Sequence, residues 1–251
     1  MEIFKTTITS QRKISRDYYE MNFYWPEVYK QPQPGQYFTI RVEDGISPLL
    51  RRPFAFSGYN KTDREASFIY QTRGLSTQLL TEKQEGDFID IMAPLGNHFV
   101  DTDKPIFSLA GGIGTGPMVY WSNYLASKGK KSTLILGVRT KELIPQLNLD
   151  PLVQLEICTD DGSQGFHGTT IDRLKTLVNQ DSGLYGCGPA GMLKAMSQLN
   201  NFNHEVWVSM EEYMACAVGA CMGCVVDLQS GEKARVCVEG PIMEGKTIKW
   251  T

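Results

Sequence analysis

The sequence predicts a β plus α/β protein: an N-terminal antiparallel β-barrel, a central parallel sheet covered by helices, and a small cysteine-bearing unit at the C-terminal end. Three observations predict it. Residues 1 to about 98 carry alternating runs such as YFTIRV and ASFIYQTR, broken by PQPG, EGD and PLGN turns, the pattern of half-buried strands. From about 101 to 208, short apolar runs (PIFSLA, STLILGV, LVQLEIC, GLYGCG, EVWVSM) alternate with helix-forming stretches, as in a parallel sheet covered on both faces. The last 42 residues hold four cysteines and are too few to build a core alone. The expected units are 1–99, 100–208 and 209–251.

Composition bounds what these units do. With 251 residues, 41% hydrophobic and 21% charged, the chain can bury a substantial core in more than one domain. A formal charge of −3 with no basic block gives no reason to expect nucleic acid. The start, MEIFKTTITSQRKISRD, has no apolar stretch of the signal-peptide kind, and no run approaches 18 apolar residues. No membrane contact is expected, and the cytoplasm is the expected compartment.

In the barrel, LLRRPFAFSGY places Arg51 and Arg52 beside Pro53, and GLST (Gly74 to Thr77) follows the strand ending near Gln71. An arginine beside extended backbone can pair with a pyrophosphate, and Ser76 and Thr77 hydroxyls at a helix start can add to it. A flavin between the first two units fits this pattern, though surface arginines look the same. Phe54, Phe56, Tyr59 and Tyr70 read mainly as barrel core.

In the second unit, GGIGTGP (Gly111 to Pro117) joins the strand 105–110 to a helix starting near Pro117. Its glycines allow a tight turn whose free N–H groups can face a phosphate. It departs from G-x-G-x-x-G, and Arg139 and Lys141 stand where an acidic residue would meet a ribose, so an ordinary strand-to-helix turn explains it too. GLYGCGPAGMLKAM delivers Cys187, Gly188 and Pro189 to the same sheet edge before a helix over 190–199, so two glycine turns can face one crevice. Cys187 can meet a nicotinamide ring or simply end a buried strand, and Cys158 reads as packing. In TDDGSQGFHG, Asp160, Asp161 and Ser163 can bond ribose or amide groups, or form a solvated loop.

Cys216, Cys221, Cys224 and Cys237 are separated by four, two and twelve residues, the plant-type spacing for a [2Fe–2S] cluster. Two irons and two sulfides need four soft anionic ligands, and small residues (Ala217, Gly219, Ala220, Gly223) let backbone N–H groups turn toward sulfur. Structural zinc favours two C-x2-C knuckles, whereas only Cys221 and Cys224 form one. A Rieske centre needs two histidines, and none follows His204.

Taken in order, RRPFAFS, GLST, PLGNHF, GGIGTGP, DDGSQGFHG, CGPAGMLKA and EEYMACAVGACMGC resemble the electron-transfer subunit of class 1B dihydroorotate dehydrogenase, within the ferredoxin reductase superfamily. The resemblance covers essentially the whole chain. It implies an FAD-binding barrel, an NAD-binding domain and a [2Fe–2S] domain. FAD contacts are implied at Arg52, Pro53, Phe54, Ala55, Ile69, Tyr70, Gln71, Gly74, Ser76 and Thr77. NAD contacts are implied at Gly111, Gly112, Gly114, Thr115, Asp161, Cys187, Gly188 and Pro189, and the four cysteines are the cluster ligands. Ala55 departs from the usual serine, removing a hydroxyl beside the flavin.

The implied partner is an FMN-containing dihydroorotate dehydrogenase catalytic subunit, in a heterotetramer of two of each. Dihydroorotate reduces FMN there, electrons cross singly through the cluster to FAD, and hydride leaves to NAD⁺; no side chain of this chain acts as acid or base. The alternatives are a subunit of an NAD(P)H:ferredoxin oxidoreductase or sulfhydrogenase and, in another class, a non-enzymatic metal-stabilised interaction module.

Overall fold

The structure is a computed structural model in which residues 1–250 are described; Thr251, the end of the third expected unit, lies outside them. The first sheet contains β1 (Glu2–Lys13), β2 (Tyr18–Tyr24), β3 (Tyr37–Arg41), β4 (Arg52–Ala55), β5 (Gly58–Asn60), β6 (Glu65–Gln71) and β7 (Phe88–Leu95). Its order is β4-β3-β7-β1-β2-β6-β5, antiparallel throughout. The two edge strands are consecutive in sequence, so the chain itself joins the edges. Phe56 N donates to Gln36 O (3.3 Å) on one side and Ser57 N to Ser67 O (2.7 Å) on the other. The curled sheet thus closes around Phe23, Phe38, Phe56 and Phe68, with Phe38 and Phe56 rings 4.7 Å apart. Alternation puts these rings inside because successive strand side chains face opposite ways. Helix α1 (Leu75–Glu82) adds Leu80 to this core.

The second sheet is built from β8 (Ile106–Gly111), β9 (Ser132–Val138), β10 (Val153–Thr159), β11 (Phe166–His167), β12 (Gly183–Cys187) and β13 (Glu205–Ser209), all parallel. Helices α2 (Thr115–Ser127), α3 (Thr170–Leu177) and α4 (Ala190–Ser197) connect them. Ten of the thirteen α2 residues are buried, because this helix is wedged between sheet and barrel rather than lying on a surface. Tyr120 Oη donates to Pro32 O (2.6 Å) across that junction. In α3, Ile171, Leu174 and Leu177 fall on one face, and the start is marked by a capping box, in which Thr169 Oγ1 accepts from Asp172 N (3.1 Å) while Asp172 Oδ2 accepts from Thr169 N (3.3 Å).

The sheet continues across residue 209. After the hairpin β14 (Val225–Asp227) and β15 (Lys233–Arg235), strand β16 (Ile242–Glu244) pairs antiparallel with β13, Trp207 opposite Glu244. Val226, Ala234, Val236 and Ile248 belong to the same core as Leu109, Val206 and Val208. The C-terminal segment therefore obtains its core by sharing one. Among the described residues no helix is long and apolar enough to cross a membrane.

Candidate redox site

The sheet order β11-β10-β9-β8-β12-β13-β16 sets the position of the site. From β8 the chain winds outward through β9 and β10, then returns to β12 on the other side. Connections leave β8 and β12 in opposite directions, and ligands bind in the crevice such a reversal opens at the strands' carboxyl ends. The turn after β8 carries Gly111, Gly112, Gly114 and Thr115; the turn after β12 carries Gly188 and Pro189.

These two turns touch each other. A Cβ on Gly114 would lie 2.0 Å from Cys187 O, one on Gly111 2.6 Å from Pro189 Cδ, and one on Gly188 2.9 Å from Gly111 Cα. Gly111 and Gly114 are thus required by turn-to-turn packing, a local reason independent of any phosphate. Asp161 serves its own loop: its carboxylate accepts from Ser163 N (3.0 Å) and Oγ (2.6 Å), bonds that hold its pKa below the ordinary aspartate value. Ser163 Oγ in turn accepts from Lys141 N (2.9 Å), tying the ends of β9 and β10 together.

Between barrel and sheet lies a cleft of about 680 Å³. Arg52, Pro53, Phe54 and Ala55 from β4, Ile69, Tyr70 and Gln71 from β6, and Gly74, Ser76 and Thr77 at the start of α1 line it. Cys187, Ser209, Met210 and Glu211 face them. The flavin set read from the sequence lines one surface together with Cys187. The nicotinamide-side residues Gly111, Gly112, Gly114, Thr115, Asp161, Gly188 and Pro189 are not in that lining, although their neighbours Ile113 and Pro117 are.

Local contacts sort the polar residues. Arg51 pairs with Asp90 (2.7 Å), whereas Arg52 makes no ion pair among the described residues and donates only to the Leu50 and Arg51 carbonyls. Arg52 is the arginine left for an anion. Thr77 Oγ1 accepts from Arg73 N (2.9 Å) and Gly74 N (3.1 Å), closing the turn into α1. Ser76 Oγ is buried with no partner, an orphan that a phosphate oxygen would satisfy. Gly74 provides no capping side chain, so the first-turn N–H groups stand free. A cleft of this volume with an unpaired arginine, an orphaned hydroxyl and an uncapped helix start fits a dinucleotide such as FAD.

At the far wall Cys187 is buried, and its Sγ lies 3.8 Å from Glu211 Oε1. Burial, and then the Glu211 charge, push this thiol well up, so it stays protonated. Burial also raises Glu211, opposed by Arg73. Sequence reasoning misses Glu211; the available signal is its place just beyond β13, at the carboxyl edge of the sheet.

The four cysteines form a cage from the loop after β13 and the returning segment after β15. Val218 N (3.5 Å) and Cys221 N (3.4 Å) donate to Cys216 Sγ, and Gly223 N donates to Cys221 Sγ (3.4 Å). The first two bonds bring Cys216 down to about 6, while burial first and Cys224 second push Cys237 up to about 11. Ala217 (φ 56°), Gly219 (φ 80°) and Met222 (φ 58°) take the left-handed conformation that turns these N–H groups inward. Among the described residues no three metal-ligating side chains converge on one point. A two-iron cluster asks for something else, two thiolates on each of two metals, and the donor set and N–H bonds to sulfur fit it.

The cage is fastened to the barrel. Asn97 Nδ2 donates to Ile242 O (2.7 Å) and Glu239 O (3.1 Å), and its Oδ1 accepts from Ile242 N (2.8 Å). Within the cage itself, Arg235 Nη1 donates to Gly219 O (3.1 Å). Tyr37, Met214 and Pro241 line the cleft from the side of the cage. Burial, then the charges of Cys237, Cys224 and Cys216, raise the Tyr37 pKa.

Comparison with known proteins agrees with this geometry. Residues 211–249 match the family model for the iron-sulfur cluster binding domain of dihydroorotate dehydrogenase B. The chain is 34% identical over 249 residues to the dihydroorotate dehydrogenase B (NAD(+)) electron transfer subunit of Geobacillus sp. (strain WCH70), covering 96% of each. It is 36% identical to the corresponding subunit of Streptococcus mutans, covering 95% of each. Among solved structures, an NADH-dependent reduced ferredoxin-NADP oxidoreductase superposes with a TM-score of 0.86 at 27% identity, over 98% of this chain and 90% of that one. Phthalate dioxygenase reductase superposes at 0.63 with 17% identity over 94% of each, a likeness of fold.

Proposed function

We propose, from the premise that this chain belongs to the family of dihydroorotate dehydrogenase B (NAD(+)) electron transfer subunits, a role for each part of its site. The chain is an electron transfer subunit that uses FAD, a [2Fe–2S] cluster and NAD, and it works in complex with a catalytic subunit that oxidises dihydroorotate. The observation that carries the assignment is the shared wall: Tyr37, Met214 and Pro241 line the cleft on the side where the cysteine cage is fastened.

FAD belongs in the cleft, with Arg52, the Ser76 hydroxyl and the first turn of α1 on its pyrophosphate. Pro53, Phe54, Ala55, Ile69, Tyr70 and Gln71 wall its ring, Gly74 lets the chain pass close, and Thr77 shapes the turn. Cys216, Cys221, Cys224 and Cys237 are assigned to the cluster. NAD is assigned to the edge carrying Gly111, Gly112, Gly114, Thr115, Asp161, Gly188 and Pro189, with its nicotinamide toward Cys187. When bound, the flavin supplies the exchange between two-electron hydride chemistry and one-electron iron–sulfur chemistry.

The side chains then position and shield rather than transfer protons. Cys187, protonated and buried, presents a neutral contact to the ring, and Glu211 holds it at 3.8 Å. The assembly is assigned as two of each subunit around an FMN-containing partner, in the cytoplasm. The 27% identity to the ferredoxin-linked oxidoreductase makes that enzyme class the second reading.

Mixing the purified chain anaerobically with the FMN-containing subunit is expected to give dihydroorotate-dependent reduction of NAD⁺. Each protein alone is expected to give none. Activity with reduced ferredoxin and none with dihydroorotate would select the second reading.

A further inference from the structure

Asn97 ties the cage to the barrel at its edge, and Tyr37 joins the two where they share a wall. Tyr37 lies on β3 with Ala55 beside it on β4 and Leu95 on β7, so its backbone is fixed by two neighbouring strands. Its ring lines the cleft and is 4% exposed. Its hydroxyl lies 3.3 Å from Cys237 O and 3.4 Å from Ala217 O. Ala217 follows the first cluster cysteine, and Cys237 is the last, on the returning segment. One O–H therefore spans the two halves of the cage, sharing its proton between acceptors that are both longer than an ordinary O–H···O bond.

The surroundings leave this ring no alternative place. A Cβ on Gly96 would lie 2.4 Å from Pro241 Cδ and 3.1 Å from Tyr37 Cε1, so the PLGN turn, the 240–241 segment and the tyrosine close on one another. One core cluster runs from Tyr37, Met92 and Leu95 through Ala217, Cys224 and Cys237 to Leu109 and Val208. Arg235 Nη1 on Gly219 O and Val236 N on Cys224 O (2.9 Å) also join the two halves of the cage, whereas among the described residues only Tyr37 both lines the cleft and bonds the carbonyl of a ligand cysteine through its side chain.

We propose that Tyr37 is the positioning residue for the iron–sulfur site: its hydroxyl staples the Cys216 loop to the returning Cys237, and its ring fills the wall between cage and flavin cleft. The proposal rests on the assignment of the cage to a [2Fe–2S] cluster. Removing the hydroxyl leaves the wall closed but lets the two halves part more often. Removing the ring opens the wall, and water at the sulfurs favours the more highly charged reduced form of the cluster.

The test uses anaerobically purified complex with the wild-type chain, Tyr37→Phe and Tyr37→Leu. Tyr37→Phe is expected to keep wild-type iron, sulfide and FAD, to lose iron to bathophenanthroline about twofold faster, the shift expected from a hydrogen bond at the weak end of the usual range, and to broaden the EPR signal of the dithionite-reduced cluster. Tyr37→Leu is expected also to raise the cluster's midpoint potential. Wild-type extraction rate and wild-type EPR line shape in Tyr37→Phe would overturn the proposal, and this variant decides alone should Tyr37→Leu not fold. Absence of acid-labile sulfide from the wild-type complex would instead remove the cluster assignment itself, a separable result.

Discussion

Cys237→Ser is expected to abolish acid-labile sulfide in the purified protein while leaving FAD at its wild-type level. Cys237 is 4% exposed and sits on the returning segment, so no water or neighbouring thiol replaces it, and a hard hydroxyl is a poor substitute for a soft thiolate. None of the β4, β6 or α1 residues proposed to hold FAD is disturbed. The C-terminal segment is not expected to unfold as a whole, because β16 remains paired with β13 and Asn97 remains bonded to Ile242. The loosening falls on the Cys216–Cys224 loop and the β14–β15 hairpin, whose organisation depends on the bound metal. Iron and sulfide analysis together with hydrogen exchange over residues 211–240 checks this. Wild-type sulfide in Cys237→Ser, or faster exchange spreading through β8 and β12, would show that the cage is not built from these four residues.

Gly114→Ala is expected to be the most destabilising single methyl added to the nucleotide edge. The backbone at Gly114 (φ −60°, ψ −4°) suits any residue, so conformational freedom is not why glycine stands there. The reason is contact: the new Cβ would lie 2.0 Å from Cys187 O and 2.9 Å from Gly188 N, both backbone atoms. One turn must move away from the other. Overpacking of this kind costs about 3 kcal/mol, a fall in Tm of roughly 6–12 °C for a chain of this size. The displaced Cys187 carbonyl carries the thiol out of register with Glu211, so weaker NADH binding is expected along with the stability loss. Gly191→Ala is the control, since nothing lies within 4 Å of its Cβ and it sits inside α4. There the same methyl is expected to stabilise by about 0.4–1 kcal/mol. Thermal melts and NADH titrations of both variants separate the cases; equal melting temperatures would contradict the contact argument.

These variants also mark how much the sequence discloses. The cysteine cage is legible because cluster chemistry fixes ligand type and spacing within one short segment. The barrel and the parallel sheet are legible because side-chain alternation and short apolar runs are local. Gly114 is legible as a turn glycine, yet its actual demand, a carbonyl of residue 187, lies in a strand added much later in the chain. Tyr37 and Asn97 look like ordinary strand and turn residues for the same reason: their partners, Cys237 and Ile242, are two hundred and one hundred and forty-five positions away. The adjacent arginines are indistinguishable in sequence and divided only by Asp90, which takes Arg51. Likewise Ser76 and Thr77 read as equivalent hydroxyls until the fold commits Thr77 to its own turn and leaves Ser76 without a partner. The unit beginning near 209 looks separate because its sequence changes character there, whereas its strand β16 completes the preceding sheet.

In the proposed arrangement a flavin cleft and a two-iron cage share one wall of this chain, so NADH must reduce both. The most direct test is an anaerobic NADH titration of the intact protein, followed by visible absorbance and EPR, with iron, sulfide and flavin measured on the same sample. About two irons, two sulfides and one FAD per chain are expected, with absorbance that bleaches on NADH and an EPR signal from the reduced cluster. Zinc in place of iron, no acid-labile sulfide, or a bleached flavin beside a cluster that never becomes reduced would contradict it.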